Sequence, residues 1–231
     1  MSTTGSIEYR PFSDENREAA LVAVAENFVA NEPICNTLSL STTEFCDFFR
    51  PCYGGDLADG LSFVAVDTEA DDKVVGVVHA MDFGKELASP PGEEFLTPAL
   101  ARVCAILEDA EAMLHKLEDV DTAMKASPPC PPSLLCHVLM VSTHPDYARR
   151  GITRALMKLC HDAAKEMGMT YAFAECTNIK SSSLFTTYYD YNVVGRIPYA
   201  DWVYSEDGST PFATLVDPSF ADAVDFVVAT L

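Results

Sequence analysis

The chain has 231 residues, 48% of them hydrophobic, with 15 Lys and Arg against 35 Asp and Glu, for a formal net charge of -20. Charge of that sign repels phosphate backbones and anionic lipid headgroups, which argues against nucleic-acid and membrane partners and in favour of a small cationic one. No apolar stretch approaches the roughly 20 residues that span a bilayer, and the apolar content is ample for a self-supporting core at this length.

The eight cysteines are sparse for a disulfide framework, and the start MSTTGSIEYR lacks a basic stretch followed by an apolar run, so free thiols and a cytoplasmic location are expected. No C-x-x-C pair occurs, and His79, His115, His137, His144 and His161 are scattered without ligand spacing, so no metal is expected.

IEYRPF (7–12) reads as a short first strand, and Ser13 or Asp14 opens a helix with Leu21, Val24, Ala25 and Phe28 at helical spacing. Pro33 removes an amide N–H and biases Glu32 away from helical angles, which places Glu32 at a helix end and a chain bend. SFVAV (62–66) and KVVGVVHAM (73–81) form an antiparallel hairpin, followed by a loop, GKELASPPGEEF. Thr97 and Pro98 then start an inserted helix over about 97–119, and the Pro-rich segment 125–133 is a connector or flap.

LLCHVLMVST (134–143) is a continuous apolar run, the pattern of a strand buried on both faces. A helix with Ile152, Leu156, Leu159 and Ala163 on one side stops at Gly168, and YAFAEC (171–176) repeats the buried-strand pattern. SSSLFTTYYDY is a short helix, with NVVGRIPYADWVY and TPFATL as final strands. The expectation is one α/β domain over residues 1–231, with a mixed sheet, an antiparallel N-terminal half, a parallel central strand pair, and helices on both faces.

The turn between the buried strand and its helix concentrates charge. Between His144 and Leu159, Arg149, Arg150, Arg154 and Lys158 face Asp146 alone, a local +3. A helix N-terminus offers unpaired N–H groups, and Gly151 permits close approach, so the turn is suited to a pyrophosphate. Neither G-x-x-x-x-G-K-[ST] nor G-x-G-x-x-G is present.

The segment VSTHPDYARRGITRALM resembles the signature of the GNAT superfamily of N-acetyltransferases, with Ala148 where Gln or Arg is usual and Thr153 where Gly or Ala is usual. The resemblance implies acetyl-CoA as co-substrate. Backbone groups of Val141, Ser142 and Thr143 would meet its pantetheine arm, and N–H groups from Arg149, Arg150, Gly151, Ile152, Thr153 and Arg154 its pyrophosphate. ANEPICNTL is similar to the D/N-E-P-L-N segment of the insect-type arylalkylamine N-acetyltransferases, which implies Glu32 as catalytic base, with Thr177 and Ser181 contributing hydroxyls.

Acetyl transfer to an amine needs a group that attracts the ammonium ion and takes its proton, and a carboxylate in a partly closed cleft does both. A backbone N–H near Thr143 would stabilise a developing oxyanion if the neighbouring strand splays away. His144 is a second candidate base, and Cys176 a candidate acyl carrier. Thr186 stands where the family's acidic tyrosine is usual, which leaves Tyr188 or Tyr189 as candidate acids. Of the aromatic run, Phe185, Tyr191, Tyr199, Trp202 and Tyr204 are candidates for an aryl pocket or for core. The competing readings are acetylation of a polyamine, an amino acid or a protein lysine, and an inactive acyl-CoA-binding protein.

Overall fold

Among the described residues seven strands form one mixed sheet, with the segments that are apolar on both faces at its centre. The computed structural model describes residues 6–53, 60–88, 95–126 and 134–231. Ile7–Pro11 (β1), Phe63–Asp67 (β2), Lys73–Asp82 (β3) and Leu135–Thr143 (β4) pair antiparallel in that order. Tyr171–Cys176 (β5) lies parallel to β4. Beyond it come Asn192–Pro198 (β6) and Ala223–Thr230 (β7), with β7 inserted between β5 and β6 and antiparallel to both. The antiparallel first half and the parallel central pair are as the sequence implies.

Helices cover both faces. Arg17–Asn31 (α1), Pro33–Thr37 (α2) and Thr42–Phe49 (α3) share one face and its core with Pro98–Glu111 (α5), around Leu21, Phe45, Leu100, Phe173 and Phe226. Ile152–Glu166 (α7) and Ile179–Tyr188 (α8) pack on the other face through Ile152, Leu156, Cys160 and Phe185. This double cover is why β3 and β4 read as continuous apolar runs rather than alternating ones. Helix α7 comes close to the sheet at Gly76, where an added Cβ would lie 2.6 Å from Ile152 Cγ2.

The parallel ladder is short. Only Leu135–His137 of β4 pair with Tyr171–Phe173 of β5, although β4 continues to Thr143 and β5 to Cys176. Beyond His137 and Phe173 the two strands part, which meets the condition set above for a free amide near Thr143.

Four sequence expectations change. The helix over about 97–119 is divided: α5 ends at Glu111, Ala112–Lys116 is a 3-10 turn, and Glu118–Ala126 (α6) follows an extended Leu117. The tighter turn buries Leu114 and seats Met113 against Gly195 of β6, where a Cβ would stand 1.7 Å from the Met113 sulfur. The loop beginning at Gly84 opens instead as a helix, Phe83–Ala88 (α4), with Asp82 Oδ1 accepting from the Gly84 amide at 3.0 Å. Residues 89–94 lie outside the described residues, as do 1–5, 54–59 and most of the Pro-rich segment, 127–133.

The strand over NVVGRIPYADWVY stops at Pro198, and TPFATL is a series of turns. Pro211 has no N–H to give a ladder. Phe212 instead anchors the turns, fully buried against Tyr199 and Trp202 with ring centroids 5.8 and 5.4 Å away. The last strand is β7, AVDFVVAT, a buried run that fills the slot beside β5. No described helix is long and apolar enough to cross a membrane, and the seven described cysteines are free thiols.

Candidate active site

Where β4 and β5 part, a cleft of about 620 Å³ opens between the two faces of the sheet. Val141, Ser142 and Thr143 form one wall, with Thr177, Asn178 and Ser181 opposite; Glu32 enters from the end of α1 and Thr153 from the first turn of α7. The fold therefore gathers seven of the sequence-predicted positions into one cavity: Glu32, Val141, Ser142, Thr143, Thr153, Thr177 and Ser181.

Glu32 sits there because Pro33 ends α1 and starts α2. Its backbone is extended (φ -81°, ψ 128°), its N–H still closes α1 onto the Phe28 carbonyl, and its side chain caps α2. Oε1 accepts from the Ile34 amide at 3.2 Å and Oε2 from the Cys35 amide at 2.7 Å, with the residue only 7% exposed. Burial raises the carboxyl pKa above its ordinary value, against the opposing pull of hydrogen bonds from the Cys35 amide, the Thr177 hydroxyl and the Ile34 amide. A carboxylate held this way can attract an ammonium ion and is a stronger base than an exposed one.

Local bonds fix the surrounding groups. The Tyr199 hydroxyl donates to the Thr177 carbonyl at 2.8 Å. Asn178 caps α8 through the Lys180 and Ser181 amides, and the Ser181 hydroxyl donates back to the Asn178 carbonyl at 2.9 Å. Asn27 of α1 donates to the Ser142 hydroxyl at 2.8 Å, and the Thr143 and Thr153 hydroxyls pair at 2.8 Å, tying the end of β4 to α1 and α7.

The basic turn forms the rim beside this wall. Arg149 (φ 64°) and Gly151 (φ 79°) both adopt left-handed angles, and Gly151, the N-cap of α7, supplies no side-chain cap. The first intrahelical bond runs from Ala155 to Gly151, so the amides of Ile152, Thr153 and Arg154 have no intrahelical acceptor. The Ile152 side chain is buried in the core, while Arg149, Arg150 and Arg154 are exposed. Arg150 lies over the Tyr147 ring at 4.6 Å and Arg154 over Tyr188 at 4.7 Å. Free amides beside three arginines suit a diphosphate.

Most of the alternative candidates do not line the cleft. The His144 ring meets Lys73 Nζ at 3.0 Å and lines, with Glu26 and Lys73, an adjoining groove that shares Asn27, Asn31, Ser142 and Pro145 with the cleft. Cys176 is buried, and burial pushes its thiol far up, which leaves it inert. Tyr188 is exposed beneath Arg154, Tyr189 donates to the Arg154 carbonyl at 2.9 Å, and Thr186 bonds back to the Ser182 carbonyl. Of the aromatic run, Phe185 alone lines the cleft; Tyr191 and Tyr199 are core, Trp202 donates to Asp109, and Tyr204 lies under Arg102.

Sequence reasoning missed the apolar wall made by Phe45 and Phe49 of α3 and by Leu100, Val103 and Leu107 of α5. A signal for α3 was present: Ser41 and Glu44 form a reciprocal capping box ahead of the apolar face.

A strand splay over a buried carboxylate, flanked by an uncapped helix N-terminus, is an arrangement suited to acyl transfer. The acetyltransferase (GNAT) family model matches residues 31–187, two thirds of the chain, and the chain belongs to that family of acetyl-CoA-using N-acetyltransferases. Among solved structures, the chain is similar to the C-terminal condensation domain of Ebony in complex with beta-alanyl-dopamine (TM-score 0.75, 20% identity, covering 99% of this chain and 100% of that one). It is also similar to arylalkylamine N-acetyltransferase 2 from Aedes aegypti (0.71, 14%, 97% and 99%). A third is the Drosophila melanogaster polyamine N-acetyltransferase that catalyses the formation of N-acetylagmatine (0.65, 18%, 98% and 100%). At these identities the likeness is one of fold.

Proposed function

We propose that this chain transfers the acetyl group of acetyl-CoA directly to a small primary amine, an arylalkylamine, with Glu32 as general base. In this reading residues 1–231 act as one cytoplasmic domain. The backbone of Val141, Ser142 and Thr143 holds the pantetheine arm, and the turn from Arg149 through Arg150, Gly151, Ile152 and Thr153 to Arg154 holds the pyrophosphate. Thr177 steadies the Glu32 carboxylate, and Ser181 orders the start of α8 beside it.

One observation carries the reading: a buried carboxylate of raised pKa opens onto the same cleft as the free edge of β4. The net charge of -20 draws in cations, and Phe28, Phe45, Phe49 and Phe185 along the cleft favour an aryl group over a bare polyamine. The Ebony domain was solved with an amide of dopamine, the kind of compound that acylating an arylalkylamine produces.

A thiol-release assay tests this with tyramine, dopamine, serotonin, spermidine and agmatine, on wild type and on Glu32→Gln. The expected result is turnover of the aryl amines by wild type and loss of it in the variant. Turnover of agmatine or spermidine alone would replace the arylalkylamine by a polyamine. Binding of acetyl-CoA without release of CoA in any arm leaves a non-catalytic acyl-CoA-binding protein.

A further inference from the structure

The scattered histidines of the sequence conceal one convergence. Behind the cleft, His137 of β4 is buried at 1% exposure, its Nδ1 2.8 Å from Glu86 Oε2 and its Nε2 3.0 Å from Glu175 Oε2. Glu111, one turn beyond the cleft-lining Leu107 on α5, completes the group. Ligand atoms of Glu111, His137 and Glu175 all lie within 4.8 Å of one another.

We propose that Glu111, His137 and Glu175 bind a divalent cation of the zinc class, tying α5 to β4 and β5 at the point where the two strands part. Four features support it. The donor set of one imidazole nitrogen and two carboxylates suits a first-row divalent ion. Glu86 on the far ring nitrogen is the partner that orients a metal-binding histidine, holding Nδ1–H, while the Nε2 proton now shared with Glu175 Oε2 leaves to solvent when the ion takes its place between them. Glu175 Oε1 has no hydrogen-bond partner although its side chain is 96% buried, an uncompensated oxygen that a cation satisfies. Three carboxyl groups converge on one buried imidazole, a concentration of acidic groups out of water that a divalent cation offsets.

Its position gives the ion work to do. His137 is the last residue of β4 paired to β5, and Glu175 lies two residues past Phe173, the last paired residue of β5. A cation there bridges the strands at the apex of their divergence and holds α5, which supplies Leu100, Val103 and Leu107 to the cleft wall. The competing occupant is a proton: burial and the nearby Glu175 charge push the Glu111 carboxyl up to about 8.

The test uses the full chain, stripped with a chelator and titrated with Zn2+, with bound metal measured by elemental analysis and stability by thermal melting. The expected result is uptake of one Zn2+ per chain and a melting temperature that rises with free Zn2+. Glu111→Gln, a near-isosteric change at a half-buried helix end, and Glu86→Gln each weaken that uptake by about tenfold or more. Stripped protein that takes up no Zn2+ and melts unchanged in its presence overturns the proposal and leaves the proton on Glu111. Uptake that is equal in wild type and Glu111→Gln also overturns it, since the ion then sits at other groups. Should Glu111→Gln fail to fold, Glu86→Gln and the Zn2+ dependence of wild-type melting decide the matter.

Discussion

Of the helix N-termini that meet the cleft, those of α2 and α7 are finished in opposite ways. At α2 the Glu32 carboxylate accepts both the Ile34 and Cys35 amides, so the helix end is satisfied from within the chain. At α7 the cap position is Gly151, and the amides that follow it have no side-chain acceptor. The first arrangement fixes a carboxylate where water is scarce, and burial raises its pKa. The second keeps its donors for a charge that arrives with a ligand. One device, the helix end, is thus closed by a carboxylate in one place and left open in the other, and in the proposed mechanism the first serves as base and the second as anion site; what separates them is a side chain at the cap.

Glu32→Gln is expected to have the largest effect. Glutamine keeps one oxygen for the cap but cannot take a proton, so kcat should fall by about 100- to 10,000-fold while the KM for acetyl-CoA holds. The sign of the pH dependence follows from the raised pKa. The wild-type base is ionised only above that value, so the rate climbs as pH rises through it, and the variant should lose this acidic limb. A variant whose pH–rate profile matches wild type would remove Glu32 from the chemistry.

The α7 end predicts the reverse pattern. Replacing Arg150 and Arg154 by Ala removes two exposed guanidinium groups, held by Tyr147 and Tyr188, from the rim. The KM for acetyl-CoA should rise about tenfold with kcat little changed, and its salt dependence should become shallower. An unchanged KM would assign the anion to the backbone donors alone.

Much of this contrast was legible in the sequence because its determinants are local. Pro33 forces the break after Glu32, and the RRGITR turn follows a strand whose unbroken apolar run marks burial on both faces. What escaped depends on contacts between distant segments. AVDFVVAT is a buried strand because a slot exists beside β5, whereas PFATL has the right alternation but is bent around Phe212 by Tyr199 and Trp202. His144 follows the wall of the cleft in sequence yet turns toward Lys73, since the face of a residue at a strand end is set by how the chain leaves the sheet. Glu111, His137 and Glu175 come from α5, β4 and β5, and no spacing rule joins three elements.

Thr177→Val sharpens the α2 side without removing the base. The hydroxyl bond to Glu32 lowers the carboxyl pKa, so its loss should move the acidic limb to higher pH and reduce kcat by about tenfold, the worth of one hydrogen bond to a charged group at its low end. A limb that stays in place would show that the Ile34 and Cys35 amides alone set the basicity of Glu32.

Gly151 gives the smallest expected effect and the cleanest separation of stability from binding. No atom lies within 4 Å of a Cβ built there, so Gly151→Ala meets only the strain of φ +79° and should lower unfolding stability by about 1 kcal/mol, read by urea denaturation, with the acetyl-CoA KM unchanged. Gly151→Asn tolerates the left-handed angle better and brings a side-chain oxygen that caps the free amides. Its stability should return toward wild type while its acetyl-CoA KM rises, because the cap now competes with the anion for the same donors. Stability and affinity moving in opposite directions between these two variants is what an end left open for a ligand requires; a KM that follows stability would mean that Gly151 only permits the turn.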